Sequence, residues 1–205
     1  MDETSRRTLR HYEQRADAFW QGTRDHDVTQ NIEALLCCLP DQGEGRRVLD
    51  LGCGPGRDLK ALSDRGALAT GLDGCEAFCE MARAHSCCEV WRQEFLALDL
   101  PPDTFDGVFA NASLFHVPTR HLKGVLDALY STLVPGGVLF SSNPHGNGEE
   151  GWNEGRYGVY HDIEQWSHWL TQSGFAPIRH YYRPPAEQDW LASLWQRPGE
   201  PASPA

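Results

Sequence analysis

Three glycines at alternate positions, Gly52, Gly54 and Gly56, follow an apolar run that ends in an acid: Val48-Leu49-Asp50-Leu51-Gly52-Cys53-Gly54-Pro55-Gly56-Arg57-Asp58. Glycine has no Cβ, so such a turn reaches positive φ and lets a ligand lie against the backbone. Strand, glycine turn and helix start put the turn at the carboxyl end of a buried strand, where open α/β sheets bind ligands. Asp73 closes the next apolar run, 21 residues after Gly52. A carboxylate there can accept hydrogen bonds from a ribose diol, the role an acid about 20 residues on has in dinucleotide folds. The plainer alternative is a solvated acid or a helix N-cap. The dinucleotide fingerprint also wants a third glycine five residues after the first. That position is Arg57, and the extra glycine falls at Gly56 behind Pro55.

Other groups with chemical potential lie downstream. His116, in Ala110-Asn111-Ala112-Ser113-Leu114-Phe115-His116-Val117-Pro118, has an ordinary pKa near neutrality that suits a general base. Equally, it could hold its loop through hydrogen bonds. Between Asn143 and His161 lie five glycines with Trp152, Tyr157 and Tyr160. A loop of this length in a compact domain is usually functional. Arg156 could fork onto a substrate carboxylate, and the aromatics could stack on a ring or hold a cation. A charged surface loop with incidental aromatics is the alternative.

The elements that would position these groups follow from periodicity. Leu9, Tyr12, Ala16, Phe19 and Trp20 mark one amphipathic helix over 5–21, and Ile32, Leu35, Leu36 and Leu39 mark a second over 28–39, ended by Pro40 to Gly45. Strands are expected at 46–51, 67–72, 88–92, 105–111 and 138–143. Helices at 57–65, 75–85 and 119–133 alternate with them, and Thr119 would be an N-cap. Asp162-x-x-Gln165 reads as a capping box for a helix to Ser173. Two strands close the chain, 175–183 and 190–196, and Pro177 confines the first to an edge. Such alternation implies a parallel sheet with helices on both faces.

At 205 residues the chain is sized for one domain, and 40% hydrophobic with 23% charged residues is the balance of a soluble globule. A net charge of −11 argues against non-specific binding to nucleic acid or anionic membranes. No apolar run approaches the length of a membrane span, and the first residues lead into no signal-peptide core. Seven cysteines, with Cys37-Cys38 and Cys87-Cys88 vicinal and no C-x-x-C, read as reduced cytoplasmic thiols, mostly buried, rather than a zinc site.

Asp50 to Gly56 resembles motif I of the class I S-adenosylmethionine (SAM) methyltransferases, an acid followed by GxGxG. Leu98 to Asn111 is similar to that family's segment before and along its fourth strand, and Leu133 to Leu139 to its turn into the fifth. Tyr12 to Trp20 resembles the cap helix of small-molecule members. The resemblance implies one α/β domain over 1–205: cap helices in 1–45, a core over 46–197, a lid-like loop at 144–161 and a flexible tail at 198–205. The implied core is a three-layer α/β/α sandwich on a mostly parallel seven-stranded sheet, order 3-2-1-4-5-7-6 with strand 7 antiparallel, under two cap helices.

The cofactor so implied is SAM, leaving as S-adenosylhomocysteine. Tyr12, Trp20, Gly22, Asp50, Gly52, Cys53, Gly54, Gly56, Asp58, Asp73, Gly74, Glu94, Phe95, Asn111 and Ala112 would hold it, with Glu94 standing where Asp is commoner. Phe19, Phe115, His116, Asn143, Asn147, Trp152, Arg156, Tyr157, Tyr160 and His161 would face the acceptor, with His116 and Tyr160 the catalytic candidates and no metal. The expected reaction is methylation of nitrogen, sulfur or selenium in a small metabolite, such as an amino-acid-derived, imidazole or thiol compound, by a monomer or homodimer without nucleic-acid or membrane partners. The rivals are a protein methyltransferase, a non-catalytic SAM-binding subunit and a nicotinamide-dependent reductase.

Overall fold

In the run Arg47–Leu51 (β1) four consecutive residues are buried, the pattern of a strand covered on both faces. The computed structural model, which describes residues 2–40, 45–183 and 190–199, builds the rest around it. In chain order the further elements of the core are α4 (Arg57–Asp64), β2 (Leu68–Asp73), α5 (Glu76–Ser86), β3 (Glu89–Arg92), β4 (Phe105–Asn111), α6 (Thr119–Thr132) and β5 (Leu133–Pro144). A hairpin follows, β6 (Glu149–Asn153) and β7 (Arg156–Tyr160), then α7 (Ile163–Gln172), β8 (Ala176–Arg183) and β9 (Trp190–Gln196).

The main sheet has seven strands in the order β3-β2-β1-β4-β5-β9-β8. With the separate hairpin left out of the count, this is the expected 3-2-1-4-5-7-6. β9 runs antiparallel to β5, and β8, which carries Pro177, is an edge strand. Leu49, Leu51, Val108 and Leu139 point to the face covered by α6 and α7. Val48, Phe109, Val138 and Phe140 point to the other, under α3 (Thr29–Leu36) and Leu62 of α4. The alternation of a strand thus sorts one apolar run into two cores.

Four expectations need correction. The N-terminal cap is three helices, because the stretch expected as one splits into α1 (Glu3–Glu13) and α2 (Ala16–Thr23) at Gln14-Arg15. The bend brings Tyr12 and Phe19 together on Phe78 of α5, at ring distances of 5.5 and 5.1 Å, and lets Glu13 accept the N–H groups of Glu76 and Ala77 at 3.1 and 3.2 Å. The lid-like loop at 144–161 is largely the β6–β7 hairpin, whose two turn residues, Glu154 and Gly155, have φ of 48° and 89°. Thr119 does not cap α6: Glu150 of β6 accepts its N–H at 3.1 Å and its hydroxyl at 2.7 Å. Of the seven free cysteines only Cys53, Cys75 and Cys79 are buried, while Cys37 and Cys87 are exposed.

The helix break at Pro40 to Gly45 and the tail after Pro198 lie partly outside the described residues. No helix among the described residues is long and apolar enough to cross a membrane.

Candidate cofactor and acceptor site

The first strands of the parallel sheet deliver their carboxyl ends to one edge, and the sequence puts a special residue at each. Leu51 of β1 passes into Gly52, with φ +76°, and Gly52 and Cys53 donate their N–H groups to the Leu72 carbonyl at 2.7 and 3.0 Å. A Cβ on Gly52 would overlap the side chain of Ser113, which enters from the end of β4. Gly56, with φ +93°, starts α4, and a Cβ there would come within 2.7 Å of the Ala82 Cα. These two glycines therefore serve different ends: the first clears the turn, the second seats α4 against α5.

Asp73 ends β2 and is only 8% exposed. Its Oδ2 accepts the Gly54 N–H at 3.0 Å and its Oδ1 the Cys75 N–H at 2.9 Å. A carboxylate has about four acceptor positions, so roughly two remain for a ligand. Burial raises its pKa to about 6, against the pull of those backbone N–H groups. Asp50, 2% exposed, lies behind the turn with Oδ2 unpartnered. Burial first, and the nearby Asp58 carboxylate second, hold its pKa well above the usual range.

His116 is fixed at both nitrogens. Nδ1 lies 2.5 Å from the carbonyl of Tyr157, which can only accept, so Nδ1 carries the hydrogen. Nε2 then accepts the Tyr12 hydroxyl at 2.7 Å. Desolvation lowers its pKa to about 4, so the ring stays neutral at pH 7. The histidine joins α1 to the hairpin and offers no free lone pair. Of the two sequence readings, the geometry supports the one in which His116 holds structure.

Two cavities meet at this edge. The first is lined by Gly52, Gly54, Asp73, Gly74, Glu94 and Phe95, with Ala112, Ser113 and His116 behind and Tyr12 and Phe19 above. The second shares Tyr12, Phe19, Gly52, Gly54 and Ala112 and extends to Trp20, Cys53, Asp58, Asn111, Phe115 and Arg156. Ala112, a non-glycine residue at φ +60°, stands between them. Asp58 is held by a fork from Arg57 at 2.6 and 3.0 Å and by the Asn111 amide at 2.9 Å. Arg57 also donates to the Thr23 carbonyl at 2.7 Å, which ties α2 to the turn.

Several sequence candidates lie elsewhere. Gly22, Asn147, Trp152, Tyr157 and Tyr160 line neither cavity. Gly22 sits on α2 with nothing within 4 Å of where a Cβ would be. Asn147 bonds Glu149 at 2.7 Å through its backbone. The pleat of the hairpin puts Trp152 and Tyr157 on one face, where Arg7 lies over the Trp152 ring at 4.1 Å. Tyr157 contributes its backbone, donating its N–H to Thr8 Oγ1 at 3.0 Å. Tyr160 stands 6.4 Å from the Phe115 ring, and Asn143 and His161 line a separate small cavity behind Phe115.

Other lining residues were not read from the sequence. Ser113 is buried with Oγ unpartnered, and Ser142, Arg183 and Trp190 line the second cavity. Their common signal is position: each lies at a strand end on the ligand edge, where the rule for open sheets applies.

A glycine turn at positive φ, a buried acid on the neighbouring strand and a capped cleft at the carboxyl edge define an α/β protein that binds a nucleoside-bearing cofactor. Comparison with known proteins narrows the class. The family model described as "Methyltransferase domain" matches residues 48–137. The ubiquinone biosynthesis O-methyltransferase of Idiomarina loihiensis is 39% identical over 111 residues, which are 50% of this chain and 44% of that protein. The sterol 24-C-methyltransferase of Clavispora lusitaniae is 31% identical over 131 residues, 59% of this chain and 34% of that protein. The chain thus spans less than half the length of these curated relatives. Among solved structures, Burkholderia thailandensis 1,6-didemethyltoxoflavin-N1-methyltransferase, with bound 1,6-didemethyltoxoflavin and S-adenosylhomocysteine, superposes with a TM-score of 0.77. The match covers 93% of this chain and 87% of that one at 19% identity, a likeness of fold.

Residues 48–137 match a methyltransferase domain, and the fold of the chain is that of a SAM-dependent methyltransferase. Its cofactor is SAM, and the residues present fit that molecule. The cradle at Gly52 has no room for a Cβ, Asp73 retains acceptor capacity, and Ser113 Oγ in the cavity wall lacks a partner.

Proposed function

We propose that this protein transfers the methyl group of SAM to a small molecule. The observation that carries the reading is the pair of cavities meeting at Gly52–Gly54 beneath Tyr12 and Phe19. Asp73, Glu94 and Phe95 suit the first to a nucleoside, and Phe115, Arg156 and Asn111 furnish the second for an acceptor. Bound SAM supplies a methyl already activated on a sulfonium. The chain's own part is to align two molecules and exclude water, which can account for several kcal/mol of barrier. Tyr12 and Phe19 roof both cavities, and the α1–hairpin connection closes one side. A small acceptor fits this enclosure better than a protein segment, which needs an open groove.

His116 has both nitrogens engaged, and the lining acids Asp25, Asp27 and Asp58 are already bonded to Arg24, the Thr29 N–H and Arg57. With His116 not free to take a proton, an acceptor arriving with an available lone pair is favoured: nitrogen, sulfur or selenium of an amino-acid-derived, imidazole or thiol metabolite. Seven free thiols accord with a reducing cytoplasm.

The test is incubation with methyl-labelled SAM and a cell extract split into small-molecule and macromolecular fractions. Label is expected in the small-molecule fraction, and mass spectrometry would then identify the acceptor atom. Label on protein or RNA would overturn the reading. SAM binding without label in either fraction would favour a non-catalytic SAM-binding subunit.

A further inference from the structure

The second cavity is lined by three arginines and three aspartates, in a chain whose net charge is −11. Arg57 is forked onto Asp58, which leaves Arg156 and Arg183, from different elements, to face the space. Arg156 starts β7, and Arg183 ends β8. Arg156 has only a loose ion pair, 3.9 Å from Glu154, whose side chain is 81% exposed, and it lies against the Tyr12 hydroxyl. Arg183 donates to the backbone carbonyl of Asp27 at 3.0 Å and, among the described residues, has no carboxylate within 4.0 Å. Of the acids in the same cavity, Asp58 is forked by Arg57 and Asp25 pairs with Arg24, while Asp27, which accepts the Thr29 N–H, lies close enough to Arg183 to interact with its charge.

Flat rings accompany the charges. The sheet register places Arg183 opposite Trp190, and Trp190 opposite Pro144 at the end of β5. Phe115 meets the Trp190 ring edge-on at 6.4 Å. Register, rather than a mobile surface loop, therefore puts a guanidinium beside an indole and a phenyl ring at the ligand edge of the sheet. Guanidinium groups match oxyanions in pairs of parallel hydrogen bonds, and aromatic walls favour a planar guest.

From this juxtaposition we infer that the acceptor is a planar aromatic or heteroaromatic molecule bearing an oxyanion, which Arg156 and Arg183 clamp while Phe115 and Trp190 flank the ring. This rests on the proposed methyl-transfer reading and names its substrate class. The clamp has two consequences. It orients the acceptor by its charged end, leaving the ring atom to face the cofactor turn. It also disfavours the neutral analogue, because an amide offers one carbonyl oxygen and no charge where a carboxylate offers two charged oxygens to the guanidinium forks.

The experiment uses the full chain saturated with S-adenosylhomocysteine and follows probe binding by calorimetry. The probes are indole-3-acetate, its neutral amide indole-3-acetamide, and phenyl phosphate. We expect at least one oxyanion probe to bind, and the acid to bind about tenfold or more tightly than the amide. Arg183→Gln should erase that preference, and Arg156→Lys, which keeps the charge but not the fork, should weaken it. S-adenosylhomocysteine affinity should stay within about threefold of the parent value in both variants, which shows the fold intact. The two oxyanion arms distinguish a carboxylate from a phosphate. Equal affinity for acid and amide, an undiminished preference in Arg183→Gln, or no oxyanion binding to the loaded protein would overturn the inference. Failure of the methyltransferase reading shows separately, as absent S-adenosylhomocysteine binding.

Discussion

Asp73 and His116 are both titratable groups moved by burial, and each movement has a consequence that can be read in solution. Desolvation holds the Asp73 carboxyl at about 6, raised from 3.8. A ribose diol donates hydrogen bonds, so it prefers the ionised form. SAM affinity should therefore fall as pH drops through about 6, and Asp73→Asn should bind weakly with no such dependence. Calorimetric titrations from pH 5 to 8 decide it, and a flat parent profile sinks the ribose assignment.

His116 moves the opposite way, from 6.5 to about 4. The folded protein then binds fewer protons than the unfolded chain between those values. The stability His116 contributes is present above pH 6.5 and is lost as pH falls toward 4. Given its partial exposure, the loss should be on the order of 2 kcal/mol. His116→Gln and the parent should differ in urea midpoint at pH 7.5 and converge near pH 4.5. A constant gap would remove the buried neutral imidazole from the account.

At the scale of elements, much of the sheet was legible, because strands buried on both faces read as apolar runs and their order follows from the alternation with helices. Gly52, Gly56 and Asp73 were legible for the same reason: a turn or a strand end announces them by type and spacing. The capping of α5 by Glu13, and of α6 by Glu150, was not, since those acids come from other elements. The hairpin was also hidden. Its turn is Glu154-Gly155, whereas asparagine or aspartate before glycine is the strong local signal. The glycine is nonetheless demanding: φ is +89°, and a Cβ would come within 2.7 Å of His11 Nδ1. Gly155→Ala should therefore cost about 1 kcal/mol or more and loosen the hairpin from α1. Thermal unfolding measures the cost. An unchanged midpoint would show that the turn relaxes freely.

The whole molecule joins its two lids. Asp2 pairs with Arg120 of α6 at 2.7 Å, Thr8 accepts the Tyr157 N–H, Tyr12 donates to His116, which donates to the Tyr157 carbonyl, and Arg7 covers Trp152. Glu13, from the same helix, holds the N-terminus of α5 three residues past Asp73. One helix thus reaches the residues that follow Asp73 at one end of its span and the hairpin along the rest. A cofactor that must pass beneath α1 has to release these contacts together, and once seated it should restore them together. The prediction is that S-adenosylhomocysteine slows amide exchange in α1 and in β6–β7 by similar factors, although the hairpin lines little of the cofactor cavity. Hydrogen exchange followed by mass spectrometry, with and without the ligand, reports each segment separately. Protection confined to α1 would mean that the hairpin closes on its own, and cofactor binding would then no longer prepare the acceptor cavity.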